Sequence, residues 1–300
     1  MIRILGMVFA GLVGLAFGSF LNVCLSRWPA GESVVKPRSH CRTCGRTLMW
    51  WENVPLVSWL ALRGNCRTCR TWIGWRYPLV ELVVGILWAI IASQSIGRFP
   101  DAITSGLSIS YSPHFHLQTA AAVAEMMLLT WMLVGLAALD AEHLWLPDIV
   151  TLPGILLGIV VSLLRGGPLI ETSRPSPSVL NQLLRLAFSI LIAAALILLI
   201  RWIYWLVRRR EGIGLGDAKL MAMLAAWLGL PGALLAFSIG VVVGAAAALL
   251  LLAVPAARRE SQTWAVTKLP LGTFLCIGGI VSALWGQPIL AAYLRWSGLS

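Results

Sequence analysis

The chain has 300 residues, of which 59% are hydrophobic and only 12% are charged, and its mean hydropathy is +0.85. These values exclude an ordinary soluble domain and indicate a protein that crosses the membrane several times. The formal net charge of +11 is explained by basic loops beside an anionic leaflet, so no nucleic-acid partner is expected.

Apolar runs of about 20 residues, the length that crosses about 30 Å of hydrocarbon, recur along the chain. They predict an all-α polytopic membrane protein with about eight transmembrane helices. The first run lacks a clear small-residue cleavage site, so it is interpreted as a span and not as a signal peptide. Only the triplet 230–232 separates the short sixth span from the seventh, so a tight turn is expected there. The predicted spans lie near 4–25, 79–97, 119–139, 147–164, 183–207, 218–230, 232–254 and 270–292.

Lysine and arginine residues predict the orientation, because short cytoplasmic loops hold most of the positive charge. With the amino terminus outside, the segments assigned to the cytoplasm hold 17 of the 23 basic residues. These segments are 26–78, 140–147, 201–219 and 255–268, with 9, 0, 5 and 3 basic residues. The chain is therefore divided into a first helix at 1–25, a small cytoplasmic loop domain at 26–78 and a membrane domain at 79–300.

Two C-x-x-C pairs lie in the loop domain. They are Cys41 with Cys44 and Cys66 with Cys69, and 21 residues separate the pairs. Four thiolates from two such turns are typical of a structural zinc site, which leaves no coordination position open for catalysis. Two disulfides are the alternative, which a basic loop in the reducing cytoplasm disfavours. His40 is interpreted as a bystander.

A few carboxylates lie at the ends of predicted spans, where burial is costly and an ionisable residue is a functional candidate. Asp140 ends the third span, Asp148 begins the fourth and Asp217 begins the sixth. Two carboxylates held close cannot both ionise, so one can act as base and the other as acid on a shared water, as in aspartic proteases. Helix capping by Asp217, its pairing with Lys219, and structural roles for the other two are the alternatives.

The stretch EGIGLGDAKL at 211–220 places glycines directly before Asp217. Gly214 and Gly216 would let the backbone approach a partner helix closely, and would let the helix begin with its carboxylate in a wet cleft. A phosphate-binding loop is not expected, because no strand precedes the stretch and the G-K-[ST] ending is missing.

Taken together, these motifs resemble the bacterial prepilin peptidases, or type 4 leader peptidases, which are GxGD-type aspartic proteases of the inner membrane. The resemblance is collinear over nearly all of the chain. It begins with GSFLNVCLSRWP at 18–29 and the two cysteine pairs, and continues through RYPLVE, LDAEHLWLPDIVTLP, GIGLGDAKL and KLPLGTFLCIGG. Thr71 and Thr273 depart from it, since the family usually has a small residue and a proline at these positions.

The resemblance implies that Asp140 and Asp217 are catalytic, that the four cysteines bind zinc, and that prepilins or pseudopilins are cleaved after a glycine at the cytoplasmic face. It also implies methylation of the new amino terminus by S-adenosylmethionine in many members, for which Glu81 and Lys36 are the candidates in this chain. Support of the active site is expected from Gly214, Gly216, Lys219 and Asp148.

Two other classes of protein are alternatives. A non-enzymatic, zinc-stabilised membrane assembly scaffold would use the acidic residues only to anchor helices. A proton-coupled transporter is disfavoured, because the acidic residues cluster at one membrane face and no internal repeat is visible.

Overall fold

The computed structural model describes residues 2–104, 113–165, 178–209, 214–253 and 270–298. In these ranges the fold is helical, and the only β-structure is two isolated bridges, His40 with Thr47 and Asn65 with Trp72. Seven of the helices are long and apolar enough to cross a membrane, which confirms the predicted all-α multi-pass fold. The predicted loop 255–268 lies outside the described residues. The α-helices are α1 Ile2–Arg27, α2 Val57–Ala61, α3 Arg76–Thr104, α4 Pro113–His143, α5 Asp148–Arg165, α6 Val179–Arg208, α7 Leu215–Ala253 and α8 Leu271–Trp296.

Helix α7 consists of two arms, 215–228 and 230–253, joined at Gly229. This residue has φ 73° and ψ 174°, a left-handed value of φ that glycine adopts without steric cost. Pro231 follows in the first turn of the second arm, where its missing N–H costs no hydrogen bond. The turn expected at 230–232 is therefore present, and the break in the backbone lies one residue earlier.

Neighbouring residues show that the two arms of α7 run in opposite directions. At the start of the first arm, a Cβ on Gly216 would lie 3.0 Å from Leu146 Cβ. Leu146 also lies 2.9 Å from the Cβ position of Gly272, at the start of α8. In the second arm, Gly244 lies against Phe274, in the same first turn of α8. The start of the first arm and Gly244 of the second arm thus both lie beside the start of α8, so the seven long helices provide eight apolar segments, the number that was predicted.

The chain forms two compact units, Met1–Gly135 and Leu136–Ser300. In the first unit, α1 packs on α3 through glycines: a Cβ on Gly18 would lie 2.7 Å from Glu81 Cα, and one on Gly14 would lie 3.0 Å from Gly85 Cα. Small residues allow such close helix contacts in membranes. Since Gly18 precedes the end of α1 and Glu81 follows the start of α3, the loop domain connects two adjacent helix ends.

In the second unit, α5, α6 and the first arm of α7 are joined by buried hydrogen bonds. Trp227 Nε1 donates to the Gly154 carbonyl at 2.8 Å. Ser162 Oγ donates to the Ala226 carbonyl at 2.8 Å, and Gln182 Nε2 donates to the Ser162 carbonyl at 2.8 Å. Lipid offers no hydrogen-bond partners, so polar groups within the bundle pair with each other. These bonds hold the first arm of α7 firmly and so fix where its first residues lie.

Candidate active site and metal centre

Asp140 lies in the last turn of α4 and is only 6% exposed. Its Oδ2 accepts a hydrogen bond of 2.7 Å from the backbone N–H of Thr273 and lies 3.2 Å from the hydroxyl oxygen of the same residue. Thr273 is in the first turn of α8, where backbone N–H groups have no partner within the helix and favour a negative charge. The start of α8 therefore holds the carboxylate at the end of α4.

Asp217 lies in the first turn of α7 and is 7% exposed. Its Oδ2 accepts a hydrogen bond of 3.1 Å from the backbone N–H of Gly214. This contact is the backward-reaching half of a capping box, in which a side chain in the first turn satisfies an N–H at the helix start. Capping of its own helix, one of the alternatives considered for Asp217, is thus a feature of the structure.

Leu146 lies against the glycines at both helix starts of the site. A Cβ on Gly272 would lie 2.9 Å from both Asp140 Oδ2 and Leu146 Cδ1, and a Cβ on Gly216 would lie 3.0 Å from Leu146 Cβ. The charges of Asp140 and Asp217 are close enough to interact. The structure therefore brings together the end of α4 and the starts of α7 and α8, and the glycines at both helix starts leave room for this close approach.

Lys219 and Asp148 form an ion pair beside the carboxylates. Lys219 Nζ donates to Asp148 Oδ1 at 2.6 Å, so the lysine pairs with Asp148 and not with Asp217. Both side chains are exposed, and an exposed pair contributes at most about 1 kcal/mol. The ion pair connects the starts of α5 and α7.

The four cysteines of the two C-x-x-C pairs converge on one point. Their sulfur atoms all lie within 4.8 Å of one another, and Sγ of Cys41 lies 3.7 Å from Sγ of Cys69. Zinc with four sulfur ligands at about 2.3 Å in a tetrahedron places the sulfurs about 3.8 Å apart. None of the six cysteines is paired in a disulfide in the structure, and the donor set of the cluster fits a zinc ion. His40 is exposed and is not part of the cluster.

The pKa values of two of the four thiols are lowered, which favours the metal-binding thiolate form at these two sulfurs, while the pKa of Cys44 is raised to about 11. The Thr71 hydroxyl, 3.3 Å from Cys69 Sγ, lowers the pKa of Cys69 to about 6. The backbone N–H of Cys44 lowers the pKa of Cys41. Thiolates, and not thiols, bind metals. Thr71, which departs from the family pattern, thus supports the proposed ligand set.

An ion pair supports the first cysteine turn, and sequence reasoning missed it. Arg46 Nη2 donates to Glu52 Oε1 at 2.6 Å, and the Met49 N–H donates to Glu52 Oε2 at 2.7 Å. The hydrogen bond from Arg46 holds the pKa of Glu52 below its usual value. Because Arg46 follows Cys44 by two residues, the buried glutamate fixes the backbone that presents this cysteine.

Of the two residues considered for methyl transfer, Glu81 is buried in the first unit and Lys36 is exposed. Glu81 Oε2 accepts a hydrogen bond of 2.8 Å from the backbone N–H of Leu56. Leu56 has φ 58°, a value that a branched side chain rarely adopts. The carboxylate therefore holds a strained turn of the loop domain against the start of α3.

Three neighbours of the candidate site were not predicted: Leu146, Gly272 and Thr273. Leu146 belongs to the L-P-D triplet and Gly272 to the KLPLGTFL stretch, so both lie inside motifs that had been recognised. Their contacts with the carboxylates depend on helix packing, and no local sequence pattern reveals them.

Comparisons with known proteins identify the family. Residues 12–95 match the bacterial peptidase A24 N-terminal domain, and residues 127–249 match the type IV leader peptidase family. The chain belongs to the type IV leader peptidase family. It is therefore an enzyme, a membrane-embedded leader peptidase, as the sequence motifs predicted. No solved structure matches the chain.

Relatives from several bacteria match most of the chain, and each is named a prepilin leader peptidase/N-methyltransferase. The protein of Stutzerimonas stutzeri is 31% identical over 98% of this chain and 96% of its own length. That of Pseudomonas aeruginosa is 31% identical over 96% of this chain and 93% of its own length. That of Myxococcus xanthus is 37% identical over 79% of this chain and 62% of its own length.

Proposed function

We propose that this leader peptidase is an aspartic endopeptidase whose catalytic residues are Asp140 and Asp217. Its substrates are prepilins or pseudopilins, which it cleaves after a glycine at the cytoplasmic face of the inner membrane. One observation carries the proposal: two buried carboxylates from different helices, each at a helix end, lie close enough for their charges to interact. The names of the relatives support the substrate class.

The chemistry follows from a shared water molecule. One carboxylate takes a proton from the water as its oxygen attacks the peptide carbonyl carbon, while the other carboxyl group gives a proton to the carbonyl oxygen. When the carbon–nitrogen bond breaks, the first group gives its proton to the leaving amine, and the second group takes a proton back from a hydroxyl of the tetrahedral carbon as the C=O bond reforms, so both groups return to their starting states. The hydrogen bonds from Thr273 to Asp140 and from Gly214 to Asp217 hold both carboxylates in place, and fixed donors of this kind need not reorganise during the reaction.

The placement of the carboxylates suits a substrate with a basic leader and an apolar helix. Such a substrate presents its scissile bond at the membrane boundary, and both carboxylates lie at the ends of membrane-spanning helices. The concentration of basic residues in the segments assigned to the cytoplasm supports the inward-facing orientation. The division into 1–25, 26–78 and 79–300 follows the same proposal, with the last part carrying the peptidase chemistry.

Two accessory groups complete the proposal. Cys41, Cys44, Cys66 and Cys69 would hold a structural zinc ion, which joins the two turns of a loop domain too small to build a large core. S-adenosylmethionine would supply a methyl group for the new amino terminus. Among the residues that the structure describes, no loop typical of methyl-donor binding is found, so this second activity rests on the names of the relatives.

The test uses detergent-solubilised protein, a prepilin and mass spectrometry of the product termini. Asp140→Asn and Asp217→Asn should each lower the rate of leader removal by at least about 1,000-fold, because each removes an acid–base group. Glu142→Gln is the matched control, since Glu142 is an exposed carboxylate two residues after Asp140 on the same helix, and it should cleave like the wild type. Adding S-adenosylmethionine should add one methyl group to the product.

Two results would reject parts of this proposal. Turnover by either Asn variant within about tenfold of wild type would exclude the aspartate pair as the catalytic machinery. If the wild-type protein cleaved none of several unrelated prepilins, the non-enzymatic assembly scaffold would be the better explanation for this chain.

A further inference from the structure

Three tryptophans of the loop domain form one exposed aromatic cluster. Trp59, Trp72 and Trp75 have ring centroids 4.5 to 5.8 Å apart. Trp59 Nε1 is satisfied by the Ile73 carbonyl at 3.0 Å. Trp72 is nevertheless 51% exposed and Trp75 66% exposed. A stack of large aromatic rings that is left this open is suited to burial against another surface.

The position of Trp75 identifies that surface. The Leu79 N–H donates to the Trp75 carbonyl at 3.1 Å, so Trp75 is in helical register with α3, one of the candidate membrane spans. Leu79, Leu82 and Ile86 are all exposed apolar residues of α3, and they follow Trp75 by 4, 7 and 11 positions. Residues at this spacing lie on one face of a helix. This exposed apolar face of α3, which suits contact with lipid tails, therefore continues into Trp75 and the rest of the cluster.

We propose that the Trp59–Trp72–Trp75 cluster lies in the headgroup region of the bilayer and seats the loop domain on the membrane surface. Tryptophan is enriched at this depth because its ring is largely apolar while its indole N–H can bond to polar groups. The partner is an anionic lipid surface and not a protein, because the cluster continues the exposed apolar face of a candidate membrane span.

The charge of the loop domain is complementary to such a surface. Segment 26–78 has nine basic residues and two acidic ones, and one of the acidic residues, Glu52, is paired with Arg46. Arg63, Arg67 and Arg70 lie between Trp59 and Trp72 in the sequence and are exposed. Basic residues close to an anionic surface are attracted to it. The aromatic cluster and the arginines together would fix the height of the loop domain above the membrane.

Photocrosslinking in nanodiscs tests this proposal. A photoreactive phenylalanine analogue replaces Trp72 in the full-length protein, in nanodiscs of phosphatidylcholine with about one third phosphatidylglycerol. Irradiation should attach a phospholipid, detected as a mass increase on the peptide that contains position 72. Leu82, on the exposed apolar face of α3, is the positive control, and Trp227, which is 1% exposed, is the negative control.

A lipid adduct at position 82 with none at 72, or an adduct at 72 with protein only, would overturn the proposal. Because a substitution at Trp72 could disturb the loop domain, hydroxyl-radical footprinting of the unmodified protein provides a second measurement. Oxidation of Trp72 and Trp75 in nanodiscs should be at least fivefold slower than in the denatured protein. The exposure of both residues in the protein alone predicts oxidation at half the denatured rate or faster. Such a rate in nanodiscs would also reject the proposal.

Discussion

Replacement of Gly272 by alanine tests how tightly the start of α8 is fitted to Asp140. The added Cβ would lie 2.9 Å from Asp140 Oδ2 and from Leu146 Cδ1, whereas ordinary contacts are 3.4 Å or longer. A shift of about 0.5 Å is therefore needed. The end of the Leu146 side chain can move, but the carboxylate of Asp140 is held by the Thr273 N–H at 2.7 Å. We expect the shift to displace the carboxylate relative to its partner.

The size of the effect follows from that displacement. A misplacement of about 1 Å at a catalytic site can cost about 100-fold in rate, so half that distance predicts a loss of about tenfold in kcat with little change in KM. Initial rates of leader removal from a prepilin, over a range of substrate concentrations, would measure both parameters. Gly74→Ala is the matched control, because a Cβ there meets nothing within 4 Å, and its kinetics should equal those of the wild type.

Thermal unfolding of the same samples separates a displaced carboxylate from an unfolded protein. Gly272→Ala should remain folded at the assay temperature, since the strained contact includes the flexible end of a leucine. A kcat within twofold of wild type would refute the argument that the α8 start positions Asp140. A loss of activity fully accounted for by unfolded protein would refute it as well.

Two further predictions concern the metal centre and the exposed ion pair. Cys44→Ser should reduce bound zinc from about one ion per chain to well below that value, measured by mass spectrometry of the metal after gel filtration, because one of four ligands is lost; an unchanged zinc content would contradict the four-cysteine site. Lys219→Gln should lower the free energy of unfolding by at most about 1 kcal/mol and leave cleavage detectable, because its pair with Asp148 is exposed; a loss as large as that of Asp217→Asn would place the lysine in the chemistry itself.

The helical architecture was predictable because it depends on local composition. The length of an apolar run reports whether a segment can cross the bilayer, and the described helices follow those runs closely. The residue at which the backbone of α7 breaks was harder to predict from the sequence. Proline and glycine at 231 and 232 indicated the turn, yet the residue with the unusual backbone is Gly229. Pro231 instead fits the first turn of the next arm, and the Gly232 carbonyl accepts a hydrogen bond from Ser282 at 2.8 Å.

The candidate site was predictable only in its carboxylates. Asp140 and Asp217 were recognisable because charged groups at span ends are rare and costly. Their partners depend on tertiary packing: Thr273 lies 133 positions after Asp140, and Lys219 lies 71 positions after Asp148. The sequence pattern allowed Lys219 to pair with its near neighbour Asp217 or with a distant residue. Because α5 packs against α7, Lys219 pairs with the distant residue, Asp148.

The position of Asp217, at a break in the apolar sequence before α7, has a physical reason. A carboxylate in the middle of a membrane helix finds no free backbone N–H, because each is already bonded to the carbonyl four residues earlier. The first turn of a helix is the one place where such donors are available. Asp217 uses the start of its own helix, and Asp140 uses the start of α8. A site built from two buried carboxylates therefore requires two helices to begin beside it, and this explains why the apolar sequence is broken before Leu215 and again before Leu271.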